Sequence, residues 1–432
     1  MDSAGSCRQM DAWWRSASQA LVITAGLVCP GVAAAQSSPP AASLRELVQE
    51  AQQNNPTIAA SHHAWQASTH VAAQARALPG PELTVQQFSV GSPRPFAGFS
   101  NSNFAYLGIG ASQDLPYPGK RALRADVAER ESLSLRAQSD AASREVIESL
   151  ELAYVQLAYD EQILPLLQDN DRVLAQIQQI AASRYRVGEG NQQDVLKAQL
   201  QHTKLLQEIA AQRQGEEMLQ ARLKQLLNRA QDSPNIITQP LAPTPVPSSV
   251  TALLQHVDAR NPDVQGRTAA VERERAQVDL AHEAFKPDFA VQYMYQHTAS
   301  GFRDYYMATF SVRLPNRDRQ RAVLAEAEEH QKQAIDELEA ERQRVRAELQ
   351  EQYVAVQGSR ERLTIFREGL VPQANATFQA AMTAYAANRE DFETLLSSFL
   401  DVLTTRIGYT RELADHESAV ARLERLAGDV RP

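Results

Sequence analysis

Two spacings of apolar residues recur along this chain, and each occurs in both halves. Phe289, Val291, Tyr293 and Tyr295 alternate with Ala290, Gln292, Met294 and Gln296, and Tyr306, Ala308, Phe310, Val312 and Leu314 alternate with Met307, Thr309, Ser311 and Arg313. Earlier, Leu83, Val85 and Gln87 alternate with Thr84, Gln86 and Phe88, and Ala105, Leu107, Ile109 and Ala111 with Phe104, Tyr106, Gly108 and Gly110. A period of two marks strands with unlike faces. The expected strands cover 82–89, 104–115, 288–297 and 305–315. Their length, about 8–11 residues, is what a tilted membrane strand needs, with apolar groups facing lipid and polar or small ones a wet lumen. The same local pattern would also serve two hairpins on a soluble α+β domain. The segments between paired strands, Val90 to Asn103 and His297 to Asp304, are rich in Gly, Ser, Asn and Pro and read as surface loops.

The second spacing is helical. Long helices are expected over 120–186, 191–229, 319–387 and 391–427, where only Pro165 and Pro372 interrupt the pattern of the two longest, and each should kink its helix. At 1.5 Å per residue the longest reach about 100 Å, more than a single globular core. Phe392, Leu395, Phe399, Val402, Arg406, Tyr409, Leu413, His416, Val420 and Leu423 step by three and four, with Arg406 and His416 as polar register or lumen positions in an apolar seam. Leu349, Val356, Leu363 and Leu370 keep a seven-residue period, and Leu219, Leu223 and Leu226 step similarly. These are coiled-coil faces.

The order of elements repeats. Asn55-Pro56 and Asn261-Pro262 break short helices, Pro81 and Pro287 precede strand pairs, and Leu115-Pro116 and Leu314-Pro315 close them. A first structural repeat therefore spans 36–239 and a second 249–428, joined by a Pro-rich linker at 240–248. Four strands cannot close a barrel, and unpaired sheet edges are not tolerated in lipid. If the strands lie in a membrane, copies must pool them, and three copies would supply about 12. The expected fold is mainly α with a membrane β-barrel, its long helical hairpins forming a hollow α-barrel of coiled coils. Each hairpin turns at a matching place: Tyr185 to Asn191, where Gly188 or Gly190 can adopt a left-handed cap, and Tyr385 to Asp391, with Asn388 where Gly188 stood. Asn191 or Asp194 can start the following helix.

The N-terminus changes the compartment. Arg15, an apolar run from Ala20 to Val28, and Ala33-Ala34-Ala35 follow the order of a secretory signal peptide at 1–35, cleaved after Ala35, with Met1 or Met10 as the start. Both cysteines, Cys7 and Cys29, lie within it, so the exported chain has no thiol. Leu27 and Val28 before Cys29 do not suit lipidation. A net charge of -9 gives no electrostatic footprint for nucleic acid. Phosphate loops, G-x-S-x-G and HExxH are missing, so no catalytic role or cofactor is expected. His62, His63 and His70 read as surface histidines, since His63 and His70 are too far apart on one helix for a shared ion.

With these features in place, the chain resembles the TolC family of outer-membrane efflux ducts. Asp114-Leu115-Pro116-Tyr117-Pro118-Gly119-Lys120-Arg121 is similar to the strand-to-helix junction of its heavy-metal branch, as is a shortened Leu314-Pro315-Asn316-Arg317-Asp318-Arg319-Gln320. Tyr185, Gly188, Asp194 and Leu196 match the first tip hairpin, and Tyr385 and Leu396 the second. The resemblance implies a homotrimer in outer-membrane lipid whose tips, at Tyr185, Gly188, Gly190, Tyr385 and Asn388, meet a periplasmic adaptor (membrane fusion) protein. That adaptor would link it to an inner-membrane resistance-nodulation-division transporter that drives passive exit of solutes, heavy-metal cations among them. Where the family often carries two gate aspartates, this chain has Thr394 and Ser397; Asp194, Glu390, Asp391 and Glu393 are the alternative source of a negative ring. Those acids would equally serve as helix-start residues complementing the dipole. A periplasmic coiled-coil scaffold or an adaptor subunit is the competing reading, although an adaptor would need one helical hairpin and not two.

Overall fold

The computed structural model describes residues 41–88, 105–246, 249–298 and 303–428. The signal peptide, the loop at 90–103 and most of the loop after His297 fall outside the described residues. Helix breaks are set by asparagine and proline. Ser43 opens α1 (Leu44–Asn54) through a capping box with Glu46. Asn55 then ends α1 and caps α2 (Pro56–Thr69): its Oδ1 accepts from the Thr57 and Ile58 N–H groups at 2.8 and 3.3 Å. Its Nδ2 donates to the Leu226 carbonyl at 2.8 Å. Asn261 behaves the same way between α6 (Val250–Arg260) and α7 (Pro262–Glu283), accepting from Asp263 and Val264 N–H and donating to the Leu426 carbonyl at 3.1 Å. A short α3 (Val71–Arg76) completes the first of these segments.

Four strands form one antiparallel sheet in the order β1-β2-β3-β4: Glu82–Phe88, Tyr106–Leu115, Asp288–Thr298 and Tyr305–Arg313. Register places Val85 opposite Ile109, Ile109 opposite Tyr295 and Tyr295 opposite Tyr306, so the apolar alternates share one face. Leu83, Val85, Ile109, Tyr293, Tyr306 and Phe310 all stand exposed on it. Thr84, Gln86, Gly108, Gly110, Gln292, Gln296, Thr309 and Ser311 occupy the opposite face. A Cβ at Gly110 would lie 3.0 Å from the Tyr293 carbonyl and 3.2 Å from the Met294 methyl, so this glycine makes room for a buried methionine. Among the described residues β1 and β4 have no strand partner on their outer edges.

Sheet and helices meet at a buried lysine. Lys120, which opens the helix after the junction, is 5% exposed and donates to Asp288 Oδ1 at 2.9 Å and the Lys286 carbonyl at 2.7 Å, while the Tyr117 N–H reaches the same Asp288 oxygen. From there run α4 (Lys120–Arg186), α5 (Gln192–Leu226), α8 (Arg317–Ile365), α9 (Val371–Ala386) and α10 (Phe392–Ala427). Crossed ion pairs, Arg130 to Glu272 and Arg273 to Glu131, tie α4 to α7. No helix of the described residues is long and apolar enough to cross a membrane.

The chain is clamped twice around Leu241, just before the linker and within it. The Glu161 carboxylate on α4 accepts from the Thr238 N–H and hydroxyl at 3.0 and 2.5 Å. Glu417 on α10 accepts from the Thr244 N–H and hydroxyl at 2.7 and 2.8 Å. Buried His416 meets Ser359 Oγ at 2.8 Å and the Thr244 carbonyl at 3.0 Å, which makes it a tie between α8, α10 and the linker.

Helix α4 runs through Pro165 as one 67-residue element. Other expectations are corrected. Before Pro372 the chain instead widens into a π turn, Phe366–Leu370, where the Val371 N–H reaches back five residues to the Phe366 carbonyl. The stretch 319–387 is thus two helices, and Leu370 is 42% exposed and outside the seam, because the turn inserts one residue into the heptad count. Buried Leu349, Val356 and Leu363 are continued one residue later by Val371, Phe378 and Tyr385. Arg406 is exposed and bonds Asn375 at 2.7 Å. Helix α5 stops at Leu226 and not near 229, since Asn228 adopts a left-handed φ of 55°. Helix α8 starts at Arg317, two residues early, because Asn316 caps it by accepting from Asp318 and Arg319 N–H.

Candidate functional site

The two turns that close α4–α5 and α9–α10 have the same backbone. Gly188 (φ 80°) follows α4, with its N–H on the Tyr185 carbonyl and the Glu189 N–H on the Arg184 carbonyl. Asn388 (φ 57°) follows α9 with the matching pair, Asn388 to Tyr385 and Arg389 to Ala384. Both are Schellman closures, which require a left-handed residue. Gly190 is held by space: a Cβ there would lie 3.2 Å from Arg184 Cβ.

Side chains bring the turns together. Arg184 donates to Asn388 Oδ1 at 2.6 Å, and its guanidinium lies 4.4 Å above the Tyr385 ring. Buried Tyr385 meets Phe392 edge to face at 6.0 Å. Lys197 on α5 pairs with Glu393 on α10. Beneath this polar rim an apolar cluster joins Leu174, Ile177 and Ala181 of α4 to Leu395, Leu396 and Phe399 of α10. Tyr185 and Val187 remain exposed on the outer side of the first turn.

The four candidate acids have different duties. Asp391 caps α10, accepting from the Thr394 N–H at 2.8 Å, and the Thr394 N–H and hydroxyl, with Lys197 further off, hold its carboxyl below the ordinary carboxylate range. Asp194 accepts from the Asn191 N–H at 3.5 Å in the first turn of α5. Glu393 faces Lys197, and Glu390 is exposed to solvent. Arg184, which joins both turns, was not singled out from the sequence. A cation in the last turn of a helix ordinarily complements the dipole, and its reach to the other turn depends on packing between segments about 200 positions apart. The described residues contain no cluster of metal-ligating side chains.

Among the described residues, a two-faced sheet is continuous with long helical pairs that end in capped tips. The chain belongs to the outer membrane efflux protein family, which matches over residues 47–229 and 253–429. Its fold is similar to that of the outer-membrane channel OprN (TM-score 0.77, 16% identity, 90% of this chain and 91% of that one). It is also similar to the outer membrane protein VceC from Vibrio cholerae (TM-score 0.74, 18% identity, 89% and 96%) and to CusC (TM-score 0.76, 16% identity, 89% and 92%). Comparison with curated protein sequences gives no match.

Proposed function

We propose that the chain is one third of a trimeric exit duct that carries solutes passively across the outer membrane, driven by an inner-membrane transporter through a periplasmic adaptor. The supporting observation is the sheet: one face is mostly apolar and exposed, the other mixes small and polar residues with Phe88, Met294, Tyr305 and Met307, and among the described residues both outer edges lack partners. In lipid such edges must be paired, and three copies pool about 12 strands. The matching bonds of Asn55 and Asn261, and of the turns at Gly188 and Asn388, support a duplicated plan in which two hairpins per protomer build the periplasmic tunnel. No step of this role requires catalysis. Fractionation tests it: the expected product is a detergent-requiring, heat-modifiable trimer in the outer-membrane fraction. A folded monomer in plain buffer overturns the reading.

Heavy-metal cations are the proposed cargo, on the junction sequence Asp114 to Arg121, whose Lys120 anchors the sheet to the tunnel. Glu390 and Asp194, with Asp391, are the acids left to attract cations at the tip, because Glu393 is offset by Lys197. Tyr185, Gly188, Gly190, Tyr385 and Asn388 form the proposed adaptor-facing surface. Single-channel conductance checks the charge role: Asp194→Asn with Glu390→Gln should lower cation preference, and an unchanged preference removes these acids from the gate.

A further inference from the structure

Next to the sheet the helices stand in a row: α2 packs on α4, α4 on α7 and α7 on α8. Helices α2 and α8 are the two ends of this row, as β1 and β4 are the two edges of the sheet. A subunit that closes a ring edge to edge therefore sets α8 against α2 of the next copy, just as it sets β4 against β1. What each end helix presents on its free side decides how that junction is held.

Helix α2 turns Ser61, Trp65 and Ser68 toward α4. Ser61 and Ser68 meet Ser139 and Ser132 at 3.3 and 3.0 Å, and the Arg136 guanidinium lies 5.5 Å from the Trp65 ring. At about 100° per residue, His63 and His70 fall on the opposite face, two turns apart, and both are exposed. Helix α8 packs Leu338 and Val345 with Val264 and Val271 of α7 and buries Ala327 and Ala334 on the same side. Its opposite face carries Glu329 and Asp336, again two turns apart and exposed. Exposed Ala59 and Ala67 accompany the histidines, and exposed Ala322, Ala325 and Ala340 the acids, so neither face obstructs a second helix.

Contacts through the row place these faces at matching heights. Ser61 with Ser139, Gly266 against Ala137 (3.4 Å for an added Cβ) and Arg267 with Glu337 at 2.7 Å mark one level, that of His63 and Asp336. Ser68 with Ser132, Arg273 with Glu131 at 2.6 Å, and the groove that these two share with His330 mark a second level, that of His70 and Glu329. Rotation about an axis along the helices preserves height, so each histidine of one copy arrives opposite an acid of the next. Most neighbouring charges are already engaged. Arg76 pairs with Glu129, Arg136 and His62 stack on Trp65, Glu337 holds Arg267, and His330 lies 3.9 Å from Glu326. Lys332 shares Glu329 at 2.8 Å, whereas Asp336 has no ion pair among the described residues. Glu328 and Glu339 flank the acidic face and are exposed.

We propose that His63 and His70 of one copy pair with Asp336 and Glu329 of the next, so that protonation of the histidines tightens the junction between copies. The pairing presupposes the trimer. Histidine is the side chain whose charge ordinarily changes between pH 5 and 8, and its cationic form gains a carboxylate partner only when a second copy is present. The junction therefore strengthens as pH falls toward 5.5 and weakens as the histidines lose their protons. The His63–Asp336 pair carries more of the effect, because Lys332 already offsets Glu329.

Two measurements on the full-length chain test this. Oxidising the variant with both His63→Cys and Asp336→Cys should give disulfide-linked dimers and trimers, since the two positions lie at opposite ends of the row within one copy; Cys7 and Cys29 are confined to the first 35 residues. The detergent-solubilised parent trimer should dissociate on heating at a higher temperature at pH 5.5 than at pH 8. His63→Gln with His70→Gln should lose that difference. His63→Asp should reduce it, and adding Asp336→His should restore it. Trimers that give no cross-link, or a His63→Gln, His70→Gln variant that keeps the whole acid shift, overturn the pairing and leave the trimer standing. A chain that stays monomeric at both pH values overturns the trimer, and the pairing with it.

Discussion

Asn261 shows how much one side chain can hold. It is 1% exposed, closes one helix, caps the next through two N–H groups and supplies the donor for the Leu426 carbonyl. Asn261→Ala removes a cap and leaves a buried carbonyl unpaired, so a loss of about 2–4 kcal/mol is expected. Asn316→Ala removes only an exposed cap and should cost about 1 kcal/mol. Denaturant midpoints of the two variants check the order. Asp160 acts in the opposite sense. Burial raises its carboxyl above the ordinary range despite hydrogen bonds from Gln156 and Gln212 and the nearby Arg411. A raised folded value means the folded state holds its proton longer than the unfolded chain does, so stability declines as pH rises from the ordinary carboxylate range through the folded value. Asp160→Asn should remove that decline and leave the protein more stable at neutral pH, which thermal unfolding at pH 4 and pH 8 will report; an equal decline in the variant rules Asp160 out as its source.

The same seam that orders the helices also limits what spacing alone reveals. Leu349, Val356 and Leu363 are buried as their period of seven predicts, and the next member, Leu370, is not. Leu363→Ala should therefore cost about 2–4 kcal/mol and Leu370→Ala less than about 1 kcal/mol, measured as changes in unfolding free energy. Comparable losses at both would place Leu370 back in the core. Strand alternation and the helix breaks at Asn55-Pro56 and Asn261-Pro262 were legible because they depend on neighbours in sequence, whereas the cap that Asn316 forms on α8 was not read. The π turn was not: it answers to Pro372, Phe366 and Gly408 together, and Gly408 lies on the facing helix. For the same reason the tip turns could be located from Gly188 and Asn388, while the Arg184 and Lys197 contacts that join them could not. Asp194, Glu390, Asp391 and Glu393 looked equivalent as charges, and only the fold distinguishes a cap, a paired acid and an open one.

Across the whole molecule, the sheet carries the sharpest asymmetry. Arginine on its exposed apolar face, as in Val85→Arg or Phe310→Arg, should destabilise membrane insertion by about 2–4 kcal/mol, whereas Thr309→Arg on the other face should be tolerated. Trimer yield after refolding into lipid vesicles distinguishes them; equal yields for Val85→Arg and Thr309→Arg would mean that neither face meets lipid. The buried residues of the helical part fall into separate clusters. One cluster surrounds Leu47, Leu150 and Leu223, another Val257, Leu349 and Leu423, and a third runs toward the tip from Val155 to Phe399.

The paired threonine clamps make the polypeptide divisible. Thr238 stays with Glu161 on one side of Leu241, and Thr244 with Glu417 on the other, so a cut between Leu241 and Ala242 severs the covalent bridge and leaves each fragment its own anchor. Two genes encoding the pieces separately should then yield a complementing pair, and fusing the original ends elsewhere would give a circularly rearranged chain that assembles from the same parts.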